Sequence, residues 1–158
     1  MTLMSMSQAG IDLIKKYEGC RLFAYRDSVG VATIGYGHTK GVTMGQAITQ
    51  QQAETFLRDD IREAESVLHA MGINFKQQQF DALCSWIFNL GSDKFLRSSM
   101  CQKMMMKADD EEVTDQLIRW CNAGGKPLVG LMKRRAEEAN MFLGRRRYIV
   151  KDEKIVKI

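Results

Sequence analysis

A chain of 158 residues, 45% apolar and 27% charged, suits one domain or two small lobes sharing a core, and can bury most of the surface it would expose unfolded. Its 23 basic and 19 acidic residues leave a net charge of +4, no base-reading motif accompanies it, and no apolar run approaches the roughly 18 residues of a membrane span. Nucleic-acid binding and membrane insertion are both disfavoured. Cys20, Cys84, Cys101 and Cys121 stand singly, with no CxxC and only His38 and His69 as further soft ligands; that pattern predicts free thiols made in a reducing compartment and no metal.

Ile11, Leu13, Ile14 and Tyr17 outline a short amphipathic helix that Gly19 ends, which puts Glu18 at its C-terminus. The negative end of a helix disfavours an ionised carboxyl, which suits a proton donor. A hairpin follows: Ser28 to Gly30 supply the turn, and Val31 to Ile34 with Tyr36 supply β-formers. Eight residues separate Glu18 from Asp27, and five more separate Asp27 from Thr33. Glycoside hydrolysis needs such a pair, one acid protonating the leaving oxygen and one carboxylate activating water or attacking directly. A hydroxyl such as Thr33 can hold that water. In a chain with 19 acids, spacing by itself leaves two ordinary surface carboxylates as the default.

Gly35, Gly37, Gly41 and Gly45 punctuate the exit from the hairpin without the following helix or Gly-Lys of a phosphate loop. His38 and Thr39 are placed to line a groove, although a lone His is more often structural, bonded to a nearby carboxylate. Thr49 and Gln52 form a capping box for a long helix over about 50–70, with Ala53, Phe56, Leu57, Ile61, Ala64, Val67, Leu68 and Met71 on one face. Lys76 to Leu90 reads as a buried helix through Phe80, Leu83, Cys84, Ile87 and Phe88, with Trp86 at its flank. Asn89, in the closing Phe88-Asn-Leu-Gly91, is either a local cap or a ligand contact. Ser98 to Lys107 forms a short helix whose Met104 to Met106 run is core filler. Asp109 to Glu112 start another helix, which Val113, Leu117 and Trp120 carry into the core. After the loop Asn122 to Pro127, a last helix over 128–143 packs Leu131, Ala139 and Phe142 inward. Residues 144–158 hold six bases against Asp152 and Glu153, so the whole positive excess lies there. The segment reads as a solvated basic tail, with an added strand and a cationic patch as alternatives.

The spacing of Glu18, Asp27 and Thr33 resembles the Glu/Asp/Thr triad of the phage-type lysozymes, the endolysins of glycoside hydrolase family 24. Tyr17 to Asp27, Thr33 to Thr39, Phe88 to Gly91, Arg119-Trp120 and Gly130 to Arg135 are similar to that family too, in its order, from about residue 11 to 143. The resemblance implies an α+β, mostly helical, lysozyme-like fold in a single domain, residues 1–143. A small N-terminal β-hairpin lobe (about 11–49) and a helical C-terminal lobe (about 73–143) would be joined by the helix at about 50–70, with the basic tail at 144–158. It also implies a peptidoglycan hydrolase that lyses bacteria by cutting the β-1,4 bond between N-acetylmuramic acid and N-acetylglucosamine. Glu18 would be the general acid, Asp27 would activate water and Thr33 would position it. Supporting residues would be His38, Thr39, Phe88, Asn89, Ser98 and Arg134, the last pairing with Glu18 (Arg135 is the alternative). No cofactor or metal is expected. The expected partners are peptidoglycan glycan strands and a holin: with no signal peptide or signal-anchor seen, a monomer would wait in the host cytoplasm until lysis and then act in the periplasm and wall. A lytic transglycosylase, which needs the Glu but not Asp27 and Thr33, and a cationic envelope- or membrane-active protein are the competing readings.

Overall fold

The computed structural model describes residues 2–158. Helix α1 (Gln8–Glu18) buries Gly10, Leu13 and Ile14, and Gly19 at φ 64° turns the chain into strand β1. β1 (Arg21–Arg26) pairs antiparallel with β2 (Ala32–Gly35), Tyr25 opposite Thr33 and Arg26 opposite Ala32. Helix α2 (Gln50–His69) opens on the Thr49/Gln52 capping box, with both reciprocal hydrogen bonds in place, and buries Ala53, Leu57, Ile61, Ala64 and Leu68. That is the stripe expected of one helix face against a core.

Helix α3 (Gln77–Leu90) is the centre of the molecule. It packs against α1, α2 and α7, and every residue from Phe80 to Ile87 is buried. Trp86, expected at the flank, is therefore fully buried, because a helix enclosed on several sides has no wet face. Its ring meets Phe95 and Trp120 edge-on at centroid distances of 6.0 and 5.4 Å, a favoured aromatic arrangement. Phe95 anchors the six-residue α4 (Ser92–Arg97), an element absent from the sequence reading. Helix α5 (Ser99–Met105) buries Met100, Cys101 and Met104 but leaves Met105 and Met106 largely exposed; only one residue of the methionine run fills the core. Helix α6 (Asp110–Leu117) stops before Trp120. A minimal hairpin, β3 (Asn122–Ala123) with β4 (Lys126–Pro127), leads into α7 (Val129–Leu143).

On α7 the inward set is Met132, Arg134, Arg135, Ala136, Glu138, Ala139 and Phe142. Leu131 is only half-buried, since charged side chains occupy the face on which the sequence places it.

Residues 144–158 are not a solvated tail. Gly144, left-handed at φ 70°, ends α7, and β5 (Tyr148–Lys151) pairs with β6 (Lys154–Lys157) around Asp152 and Glu153, both at positive φ as a tight hairpin turn requires. Tyr148 is 1% exposed. Its hydroxyl lies 2.7 Å from Thr114 Oγ1 and donates to Asp115 Oδ1 at 2.8 Å. Asn140 accepts from the backbone N–H groups of Arg147 and Tyr148 and donates to the Tyr148 carbonyl, each at 2.9 Å. Half of the six bases are spent in docking: Arg145 and Arg147 meet Glu111, and Lys157 meets Asp115 at 2.8 Å. The architecture is mixed, mainly helical with small antiparallel sheets, as the sequence leads one to expect. Among the described residues, no helix is long and apolar enough to cross a membrane.

Candidate active site

Glu18 is the last residue of α1, and α1 is held from its start: buried Asp81 on α3 accepts from the Ser7 N–H at 2.9 Å and from the Ser7 hydroxyl. The Glu18 carboxyl is gripped from two sides. Arg134 Nη1 donates to Oε2 at 2.7 Å, with side-chain exposures of 4% for Arg134 and 18% for Glu18. Gly37, at φ 69°, lies against the other oxygen so closely that a Cβ there would collide with Oε1. Backbone angle and close approach both reserve that position for glycine.

Asp27 is fixed by its own turn. Its Oδ1 accepts from the N–H groups of Val29 and Val31 at 2.9 and 2.8 Å, leaving Oδ2 outside those bonds. The Val31 carbonyl accepts from the Asp27 N–H and from Thr33 Oγ1, both at 2.9 Å, so one backbone group holds Asp27 and Thr33 together. Thr33 is buried. Both carboxylates also act on one phenol: burial pushes Tyr25 up, the Arg21 guanidinium over its ring at 4.3 Å opposes this, and the charges of Glu18 and Asp27 add to the rise.

Two recesses lie near Glu18, one lined by it and the other reaching it only through Gly37. The first, of 150 Å³, is lined by Gly37, Thr39, Asp60, Glu63, Ile87 and Phe88. The second, of 460 Å³, is lined by Tyr17, Glu18, Asn89, Leu128, Leu131 and Arg134. Thr39 and Phe88 thus reach one side, and Asn89 and Arg134 the other. Asn89 is no local cap; its Oδ1 accepts from Arg135 Nη2 at 2.8 Å. His38 is structural: it is buried, its Nδ1 sits 2.7 Å from Asp60 Oδ2, and its ring stacks on Phe56 at 4.3 Å. Ser98 stays away from both recesses. It is buried at the α4–α5 corner, donating to the Phe95 carbonyl at 2.6 Å and capping the Cys101 N–H at 3.1 Å.

Behind Arg134 lies a group the sequence reading passed over. Glu138 is fully buried, and its Oε2 accepts from Ser85 Oγ at 2.6 Å, Arg135 Nη2 at 3.2 Å and Arg134 Nε at 3.3 Å. Arg135 Nε stands 2.8 Å from Glu138 Oε1 in a charge contact too bent to be a hydrogen bond. Burial holds the Arg135 guanidinium below its ordinary pKa, while the Glu138 charge raises it. Ala136-Glu137-Glu138 reads as a wet helix segment; the signal was the i,i+3 and i,i+4 spacing from Arg135 and Arg134 to Glu138, which puts all three on one face.

Three of the four cysteines are buried and Cys20 is exposed, all as free thiols. Among the described residues, no group of three or more His, Cys, Asp and Glu is arranged to hold a metal ion. The site offers two half-buried carboxyls, Glu18 steadied by an arginine and Asp27 steadied by its own turn.

Residues 15–138 match the family described as Phage lysozyme. The chain is 41% identical to the endolysin of Acyrthosiphon pisum secondary endosymbiont phage 1 over 144 residues, covering 88% of this chain and 98% of that protein. It is 36% identical to the endolysin of Salmonella phage P22 over 147 residues, covering 89% and 99%. The muramidase domain of SpmX from Asticaccaulis excentricus superposes with a TM-score of 0.80 at 32% identity, covering 88% of this chain and 97% of that domain. The chain belongs to the phage lysozyme family of muramidase glycoside hydrolases.

Proposed function

We propose that this enzyme cleaves the β-1,4 bond between N-acetylmuramic acid and N-acetylglucosamine, with Glu18 as general acid, Asp27 activating the attacking water and Thr33 positioning it. Its family makes it a peptidoglycan hydrolase of the endolysin type; the bond and the residue roles are the proposal. The observation that carries them is the Glu18 carboxyl held by Arg134 at the edge of a recess, with Asp27 and Thr33 held together by the Val31 carbonyl on the neighbouring hairpin. Sugar units seated in the two recesses put the glycosidic oxygen over Glu18, which gives it a proton as the bond breaks. Thr33 Oγ1 spends its hydrogen on the Val31 carbonyl and keeps lone pairs to accept from a water. Asp27 takes the other proton of that water, and solvent then returns both carboxyls to their starting states.

An Asp27 pinned by two backbone N–H groups favours hydrolysis over the transglycosylase reading, which has no use for it. The cationic-tail reading loses ground to the pairing of Arg145, Arg147 and Lys157 with acids of α6. Release from the host cytoplasm through a holin, and action in the wall as a monomer, complete the proposal. The test is turbidity loss of outer-membrane-permeabilised bacteria with wild type and Glu18→Gln, with the released ends analysed. Loss of lysis in the variant and reducing N-acetylmuramic acid from the wild type are expected. Lysis by Glu18→Gln overturns the role of Glu18, and anhydro-muramic ends overturn hydrolysis.

A further inference from the structure

We infer that Glu138 is a positioning residue of the reaction: with Ser85 and Arg135 it fixes Arg134 and offsets its charge, so that Arg134 orients Glu18 without locking it in the ionised form. The inference rests on the reading of Glu18 as proton donor. A guanidinium 2.7 Å from a carboxyl favours the ionised state, the wrong one for a donor. Here that guanidinium is shared. Arg134 gives Nη1 to Glu18, Nε to Glu138, and Nη2 to the Ser85 carbonyl at 3.2 Å. Glu18, Arg134, Glu138 and Arg135 alternate in sign along the chain of contacts and sum to zero. Arg135 in turn holds Asn89, which lines the second recess beside Glu18. Glu138 itself lines neither recess and is fully buried. A buried carboxylate is costly unless paired, and everything it touches leads to Glu18 or to its recess.

The other groups facing the network are few. Tyr17 from α1 has its phenol pushed up by burial and by Glu137 and Glu138, and Tyr25 from β1 is raised as described; both are neutral at working pH. Burial likewise raises Cys121, near Arg135 and Glu138. Arg21 and Asp27 on the hairpin, Glu137 on α7 and Lys16 on α1, which pairs with Glu137, supply the remaining charge.

The test is the pH profile of kcat/KM for wild type, Glu138→Gln, Arg135→Gln and the double variant, with folding checked by circular dichroism and thermal unfolding. Glu138→Gln keeps the shape and, with its amide oxygen in the Oε2 place, the three accepted hydrogen bonds. It removes the charge and turns an NH2 toward Arg135 Nε, leaving Glu18 as the one carboxylate against two arginines. Its alkaline limb is expected to move down by about one pH unit, with roughly tenfold less activity above the limb and near wild-type activity below it. Arg135→Gln moves the limb the other way, and the double variant brings it back toward wild type. A structural role alone would lower activity by one factor at every pH, and that result overturns the inference. If Glu138→Gln does not fold, the Arg135→Gln limb decides by its sign: an upward move supports the inference, and coincidence with wild type overturns it. Lysis by Glu18→Gln fails the proton-donor reading instead, so the two failures are distinguishable.

Discussion

The molecule contains two well-formed β hairpins that spend their charges in opposite ways. In β1–β2, the turn uses one carboxylate oxygen of Asp27 to tie its own backbone and leaves the other uncommitted. At β5–β6, the docked face turns toward α6 and pairs: Tyr148 and Lys157 with Asp115, and Arg145 and Arg147, just before β5, with Glu111. A charge whose oxygen is left over is available for chemistry, whereas a charge matched on both sides makes structure. Equal secondary structure therefore says little about role; the count of unspent donors and acceptors says more.

The sharpest way to break this contrast is Asp27→Asn. The amide oxygen still accepts from Val29 and Val31, so the midpoint of thermal unfolding should hold, while lysis should fall by about 10² to 10⁴, the usual worth of a general base. A full loss of folding would mean that the carboxylate serves the turn instead. Gly37→Ala comes next. It sets a methyl against Glu18 and asks alanine for a left-handed backbone, costing about 1–2 kcal/mol from the backbone alone and more than that in activity; urea unfolding and turbidity rates separate the two. Tyr148→Phe tests the other hairpin, removing one hydrogen bond each from Thr114 and Asp115, which keep the Glu111 carbonyl and Lys157. A loss of about 1–2 kcal/mol in urea unfolding is expected, with lysis per folded molecule unchanged.

The mildest prediction concerns pH. Burial works to raise the Asp115 pKa, but the hydrogen bonds from Lys157 and Tyr148 outweigh it, and the carboxyl sits below its ordinary range. A depressed acid contributes stability that is present above its unfolded pKa, about 3.9, and is lost as pH falls through the lower folded value. Thermal midpoints taken downward from pH 5 should therefore fall less steeply for Asp115→Asn than for wild type. Parallel curves would show that the docking charges contribute nothing.

The parts legible in the sequence were those governed by local pattern: the capping box of α2, the turn of β1–β2, and Glu18 at the end of α1. The choice of Arg134 over Arg135 as the partner of Glu18 also agrees with the structure, and it came from family resemblance rather than from periodicity. What stayed hidden depends on neighbours far along the chain. Tyr148 is buried because Thr114 and Asp115 offer it partners more than thirty residues away, so the segment reads first as a solvated basic tail and the strand pairing it forms only as an alternative. Trp86 looked peripheral because enclosure of α3 on several sides is a tertiary fact. Glu138 drew no notice because its partners meet only in the folded chain: Arg134 and Arg135 on its own helix and Ser85 on α3 together make its burial tolerable. Ser98 is the reverse case, a candidate ligand contact that the structure spends on capping α5.

One feature of α7 has a mechanical meaning. Arg134 and Asn140 lie on the same helix six residues apart, roughly 9 Å along its axis. One end of this rod holds the Glu18 carboxyl, and the other clasps the backbone of β5. Ile158 is bound into the same strand pair through its N–H to the Arg147 carbonyl at 2.8 Å. Displacement of the β5–β6 hairpin is thus carried through Asn140 and along a stiff helix to Arg134, so the hairpin and the Glu18 carboxyl form one mechanical linkage.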